Sequence, residues 1–183
     1  MKGLYLSRQL VPAVLSGAKT QTRRVMNPQP AGGLRYSPFV KSGLEDGHGR
    51  EMRPRYLPGE IVYLRESVWL PPVDTDYEVT YCADWDAAYL KEALSNLPAQ
   101  GWRFRPARFM PKSAHRALLE ILEVRGQRLQ DITPEDAIAE GFPHDPTCHY
   151  PVLWFRNLWD SINKAHPWES NPWVWPYTFR RVK

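Results

Sequence analysis

Gly17-Ala18-Lys19-Thr20-Gln21-Thr22-Arg23-Arg24 puts three cations and two hydroxyls into the six residues that follow Ala18. Upstream, Leu10, Val11, Val14 and Leu15 recur at i, i+1, i+4 and i+5, which is one face of a helix. Pro12 fits the first turn of that helix and Gly17 its C-terminal stop. A short helix is therefore expected to end at Ser16. Downstream, Thr20, Thr22, Val25 and Met26 suit an extended strand. Two readings of the basic element stand at this point: a solvated turn, or a contact for an anionic partner.

Length and composition narrow the field. The chain has 183 residues, enough for one domain with a real core. Lys and Arg number 24 against 20 Asp and Glu, a net charge of +4, and seventeen of the cations are Arg. Eight Trp, nine Tyr and six Phe add stacking surface. This balance is compatible with a nucleic-acid or nucleotide partner, and equally with an aromatic core in an Arg-rich chain. No run approaches the roughly 18–20 apolar residues of a membrane span. The N-terminus lacks the apolar centre of a signal peptide. A cytoplasmic protein without a membrane partner or an obligate protein partner is expected. Cys82 and Cys148 are too few for a disulfide scaffold.

The region 27–59 is rich in Pro and Gly, has little periodicity, and reads as a long surface excursion. A Pro58-Gly59 turn opens a strand from Ile61 to Trp69. Alternation puts Glu66 with Val62, Leu64 and Val68, so Glu66 is either a paired inward carboxylate or marks a register break. Residues 77–82 read as a second strand and 86–97 as a helix. The stretch Trp102–Lys112 interleaves cations with aromatics, which suits an anionic surface or a basic loop pinned by buried rings. Ala117–Val124 is a strand. Thr133 is a good N-cap, Pro134 fits the first helical position, and Gly141 is the stop. Glu140 then falls at the helix's negative end, where a carboxylate is disfavoured. It is either an exposed residue tolerated there or a proton carrier. Residues 152–162 form an amphipathic helix with Val152, Phe155, Leu158, Trp159 and Ile162 inward. Residues 171–182 close the chain as a strand, in which Pro176 requires an edge or a bulge.

Strands outnumber helices, and a small mixed β-barrel with helices at its ends is the expected architecture, an α+β fold that is mainly β. There is no G-x-S-x-G elbow, phosphate-binding G-x-x-x-x-G-K or H-E-x-x-H. His144, Cys148 and His149 are three zinc-type donors within six residues, but no fourth is evident. Neither a metal nor a cofactor is expected.

The order of these pieces resembles the ASCH family, a relative of the PUA domain, and in particular its longer phage and prophage members. The resemblance rests on Gly17–Arg24, Leu64-Arg65-Glu66, the run Leu129–Gly141, Leu158–Asn163 and Asn171–Trp175. It spans nearly the whole chain as a single domain, with residues 27–56 and 84–101 as insertions, the second helical. The resemblance implies a PUA-like β-barrel whose basic cleft takes a nucleoside or RNA. In a small branch of the family that hydrolyses N4-acetylcytidine, a Lys accepts a proton, a Thr three residues later is the nucleophile, and a Glu at the end of the later helix donates a proton. By motif these roles fall on Lys19, Thr22 and Glu140. Arg24 matches a further basic position, and Glu66 an acidic position of the longer members. Arg24, Glu66 and Thr20 are thus the expected substrate contacts. A non-catalytic RNA or modified-base reader is the alternative, and a ribonuclease a third reading. Arg23, opposite in phase to Thr22, is expected to face solvent.

Overall fold

The computed structural model describes residues 1–143 and 149–182. His144 and Cys148, two of the three suggested zinc donors, lie outside them. No group of three metal-binding side chains occurs among the described residues.

The fold is mixed α+β, mainly β with a few short helices. In chain order the elements are β1 (Gly3–Tyr5), α1 (Val11–Leu15), β2 (Gln21–Val25), β3 (Leu34–Tyr36), β4 (Leu44–Asp46), β5 (Ile61–Arg65), β6 (Val68–Leu70) and β7 (Thr80–Tyr81). Then follow α2 (Ala87–Asn96), β8 (Arg103–Arg105), β9 (Leu118–Val124), β10 (Gln127–Arg128), α3 (Pro134–Ala139), α4 (Pro151–Ile162) and β11 (Trp173–Arg181). The chain divides into two compact units. One comprises residues 1–17, 61–120 and 181–183, the other residues 18–60 and 121–180.

In the first unit β1 runs parallel to β5, with Gly3 opposite Tyr63, and β5 pairs antiparallel with the start of β9. β6 lies between β7 and β8 in a separate small sheet. Val68, Met110 and Ala114 are buried together beneath it, with Leu70, Val79 and Tyr81 packed on them. The strand expected over 61–69 is two strands, interrupted at Glu66 and Ser67. There the Glu66 amide meets the Met110 thioether at 3.2 Å, and the Ser67 carbonyl accepts from the Cys82 amide. The strand expected over 77–82 is only two residues long before a 3-10 turn takes over at Cys82. The helix expected over 86–97 is present as α2, capped by the Asp86 carboxylate on the Tyr89 amide.

In the second unit β11 carries β2 on one side, in register from Val174–Val25 to Thr178–Gln21, and β10 on the other. Pro176 donates no hydrogen bond, yet it sits inside this long strand. The ladder accommodates it because β9 stops at Val124 and β10 starts at Gln127. The Arg125 amide reaches the Pro176 carbonyl across that interruption, at 3.3 Å. The excursion at 27–59 contains the β3–β4 hairpin, with Leu34 opposite Asp46. Leu129, Ile132, Ala137, Phe155, Trp159 and Val174 form the core between strands and helices α3 and α4. Each large apolar side chain removed from water contributes on the order of 1.5–3 kcal/mol. Ile162 departs from its expected inward place: it is the last residue of α4 and is exposed, while Trp154 packs on the core instead.

The expected closed barrel is not formed among the described residues. The pairings run β1-β5-β9-β11-β10, with β2 also on β11, and no pairing joins the ends.

Candidate functional site

The second unit gathers the basic element against the end of α3. Thr133 caps the helix start by accepting from the Asp136 amide at 3.1 Å, and Gly141 (φ 98°) ends it in the left-handed region. The last carbonyls of a helix have no partner within it. Here they are met by residues from far upstream. The Thr20 amide donates to the Ala139 carbonyl at 2.9 Å, and Lys19 Nζ to the Glu140 carbonyl at 2.7 Å. A cation in that position also complements the helix dipole.

Lys19 is completely enclosed. Its ammonium donates to three oxygens, Gln21 O, Glu140 O and Glu140 Oε2, each at 2.7 Å. An ammonium has three protons, so all are used. Burial holds the Lys19 pKa below its ordinary 10.5. The Glu140 charge and hydrogen bond oppose the shift, and Arg24 and Arg23 add to it. The Glu140 side chain is only 4% exposed, and its other oxygen, Oε1, accepts from Arg23 Nη1 at 3.1 Å. The two readings left open for Glu140 thus resolve against an exposed residue.

Arg23 corrects the sequence expectation outright. Its side chain is 0% exposed, not solvent-facing. It reaches Glu140 through Nη1 and Asp136 through Nη2, the latter at 2.5 Å, and its guanidinium lies 5.6 Å from the centre of the Phe155 ring. The expectation treated only one face of the strand as covered. In fact α3 and α4 cover the face carrying Gln21 and Arg23, and alternation leaves Thr22 and Arg24 to the other. Gln21 accepts from Arg23 and donates to Asp136 at 3.1 Å. Arg125 then closes on both Asp136 oxygens at 2.9 and 3.0 Å. Burial raises the Asp136 pKa, but Arg23, Gln21 and Arg125 together outweigh it and hold it below 3.8.

The other predicted residues have different surroundings. Thr22 is buried opposite Tyr177 in the β2–β11 register, and none of the Lys19 ammonium protons goes to it. Arg24 is half-buried opposite Trp175. Thr20 is half-buried, and its backbone bridges α3 and β11, with the carbonyl accepting from the Phe179 amide at 2.8 Å. Glu66 belongs to the first unit. It is an inward carboxylate, 1% exposed, with both oxygens held by Arg116 at 2.8 Å. Arg116 also grips Asp84 at 2.7 and 2.8 Å and stacks 4.0 Å above the Tyr81 ring. Burial raises the Glu66 pKa above 4.5, against the pull of Arg116. Sequence reasoning missed Arg23, Asp136, Arg125 and Arg116. For Asp136 a signal existed: it lies four residues before Glu140, so both carboxylates share one face of α3.

No family model matches the sequence, and no curated protein matches it. Among solved structures, the fold is similar to the crystal structure of protein EF3133 from Enterococcus faecalis V583, described as family-model DUF984. The similarity covers 100% of this chain and 80% of that one, with a TM-score of 0.47 and 11% identity. A likeness of that degree carries no argument about what this chain does. No helix among the described residues is long and apolar enough to cross a membrane.

Proposed function

We propose that this chain is an ASCH-type domain that takes a nucleoside or RNA base and hydrolyses the amide of N4-acylated cytidine. In this reading Lys19 is the proton acceptor, Thr22 the nucleophile, Glu140 the proton donor, and Arg24 and Thr20 are substrate contacts. One observation carries it: Lys19 Nζ and Glu140 Oε2 meet at 2.7 Å in a desolvated site although 121 residues separate them in the chain. These are the two proton-handling groups that the sequence resemblance selects.

The chemistry follows from that contact. A proton acceptor must be neutral and a proton donor must carry its proton. Transfer of one proton from Lys19 to Glu140 along their shared hydrogen bond creates both forms at once. Burial lowers the cost of that neutral pair relative to the ion pair. Lys19 then takes the Thr22 hydroxyl proton as the oxygen attacks the acyl carbon, and Glu140 protonates N4 as the C–N bond breaks. Water hydrolyses the acyl-threonine, releasing the acid and restoring the hydroxyl. Substrate entry has to displace one of the three acceptors of the Lys19 ammonium before Lys19 can face Thr22.

A second reading has an observation of its own. All three Lys19 protons and both Glu140 oxygens are engaged within the protein, as in a structural core. That favours a non-catalytic base reader. The test is release of cytidine and acetate from N4-acetylcytidine, compared with Lys19→Ala and Thr22→Ala. Turnover that both substitutions abolish supports the hydrolase. No turnover, with salt-dependent RNA binding by the unmodified protein, overturns it in favour of the reader. Full activity of Thr22→Ala rejects the nucleophile alone.

A further inference from the structure

The charged side chains around α3 form an alternating chain: Lys19, Glu140, Arg23, Asp136, Arg125. Its first three members are enclosed and its last two reach the surface, with side-chain exposures of 0% at Lys19, 4% at Glu140, 0% at Arg23, 16% at Asp136 and 32% at Arg125. Glu140 and Asp136 stand one helical turn apart on the same face, where two carboxylates repel. Arg23 lies between them and bonds to both. It also divides the Glu140 carboxylate, taking Oε1 while Lys19 takes Oε2.

We propose that Arg23 is a positioning residue for the reacting pair, reserving one oxygen of Glu140 for Lys19 and pressing a second positive charge on the Lys19 ammonium, with Asp136 and Arg125 setting how much of that charge is felt. This rests on the reading of Lys19 and Glu140 as the reacting groups. Arg23 touches neither substrate nor reacting atoms; it acts through Glu140. Two cations sharing one carboxylate also repel each other, and that repulsion offsets part of the attraction each feels. The groups facing this cluster are Asp136 from α3 and Glu140 at its C-terminal cap, Gln21 and Arg24 from β2, Arg125 after β9, Thr178 from β11 and the Phe155 ring of α4. Lys19 is repelled directly by Arg23 and Arg24. Cancelling Arg23 with Asp136 limits the repulsion; removing Asp136 restores it.

The arrangement therefore makes two changes act in opposite directions. Arg23→Gln keeps a donor for Glu140 Oε1 but removes the charge, so Lys19 holds its proton to higher pH. Asp136→Asn keeps an acceptor for Arg23 and Arg125 but removes their counter-charge, so Lys19 loses its proton at lower pH. Arg23→Lys restores the cation and returns the midpoint toward that of the unmodified protein. The readout is the titration of the Lys19 side-chain nitrogen by NMR in lysine-labelled full-length protein, with the signal assigned by its loss in Lys19→Met. Opposed shifts in Arg23→Gln and Asp136→Asn support the proposal. Should Arg23→Gln not fold, the downward shift in Asp136→Asn and an unmoved midpoint in Arg23→Lys test it alone. A Lys19 midpoint unchanged in every folded variant overturns it, whatever happens to the melting temperature.

The measurement is independent of turnover. Opposed shifts without cytidine release remove the proposed hydrolase and leave Arg23 and Asp136 as groups that tune the charge on an enclosed Lys19. Cytidine release without shifts does the reverse.

Discussion

Glu140→Gln removes one charge and no volume from the enclosed cluster. Lys19 then retains two carbonyl acceptors but loses its only anionic partner in the hydrogen-bonded set. Its side chain is 0% exposed, so water cannot replace that partner without local opening. At 2.7 Å and an effective dielectric of ~20 the gross attraction lost is about 6 kcal/mol. The glutamine amide recovers part of it as a neutral hydrogen bond. Arg23 keeps Asp136 and adds a smaller loss, since only its 3.1 Å contact to Oε1 weakens. Breaking a buried pair by removing one partner typically costs about 3–5 kcal/mol, and we expect the net loss to fall there. For a chain of this length that corresponds to a fall in Tm of roughly 6–20 °C. Urea unfolding followed by tryptophan fluorescence, with thermal unfolding by circular dichroism, measures it. Lys19→Met combined with Glu140→Gln should lose less than the sum of the two single changes, because the double variant buries no orphaned charge at that contact. A loss below about 1 kcal/mol in Glu140→Gln refutes the enclosed ion pair, since that is the worth of a solvated one.

Three further outcomes are expected. Because burial raises the Glu66 pKa, the folded state binds that proton more tightly than the unfolded chain; its contribution is full below 4.5 and is lost as pH rises through the folded-state value. Glu66→Gln removes that fall, so the stability difference between the two proteins must change with pH above 4.5; a flat difference across urea titrations at several pH values refutes it. The Cys82 thiol is buried and pushed up to about 11 from 9.0, which cuts its thiolate fraction about 100-fold. In a Cys148→Ser protein, DTNB should therefore label Cys82 at least that much more slowly when folded than when denatured. Thr133→Ala deletes the cap on the Asp136 amide and should cost about 1 kcal/mol in urea unfolding, the usual worth of such a cap.

Local chemistry alone makes α3 readable: Thr133, Pro134 and Gly141 mark its ends by rules that need no tertiary contact. The same rules expose Glu140 as misplaced unless something balances it. That something, Lys19, is reached through motif resemblance, since a partner 121 residues away leaves no periodic trace. Alternation misplaces Arg23 because it says which residues share a face, not how many faces are covered. With α3 on one side and β11 alongside, β2 has three consecutive buried residues, Gln21 to Arg23. The break between β5 and β6 is hidden for a related reason. Ile61–Trp69 has strand propensity throughout, and only the Met110 contact and the Arg116 fork explain why Glu66 leaves the ladder. The β3–β4 hairpin is invisible to periodicity because two three-residue strands amid Pro and Gly fall below any periodic signal.

The six residues of α3 are too few to hold a helix by themselves in water. Its C-terminal carbonyls are closed by Lys19 and Thr20, which the chain makes long before the helix itself. The helix and the Lys19–Glu140 pair must therefore consolidate in the same step, after a loop of more than a hundred residues has closed. Amide protons of Glu140 and Gly141, bonded to the Asp136 and Ile138 carbonyls, report that step directly. In hydrogen exchange they should be protected together with the Thr20 amide, and any change that frees Lys19 should release all three at once. Partly folded chains would then hold neither the helix end nor the Lys19–Glu140 contact, and would leave the Lys19 ammonium in water.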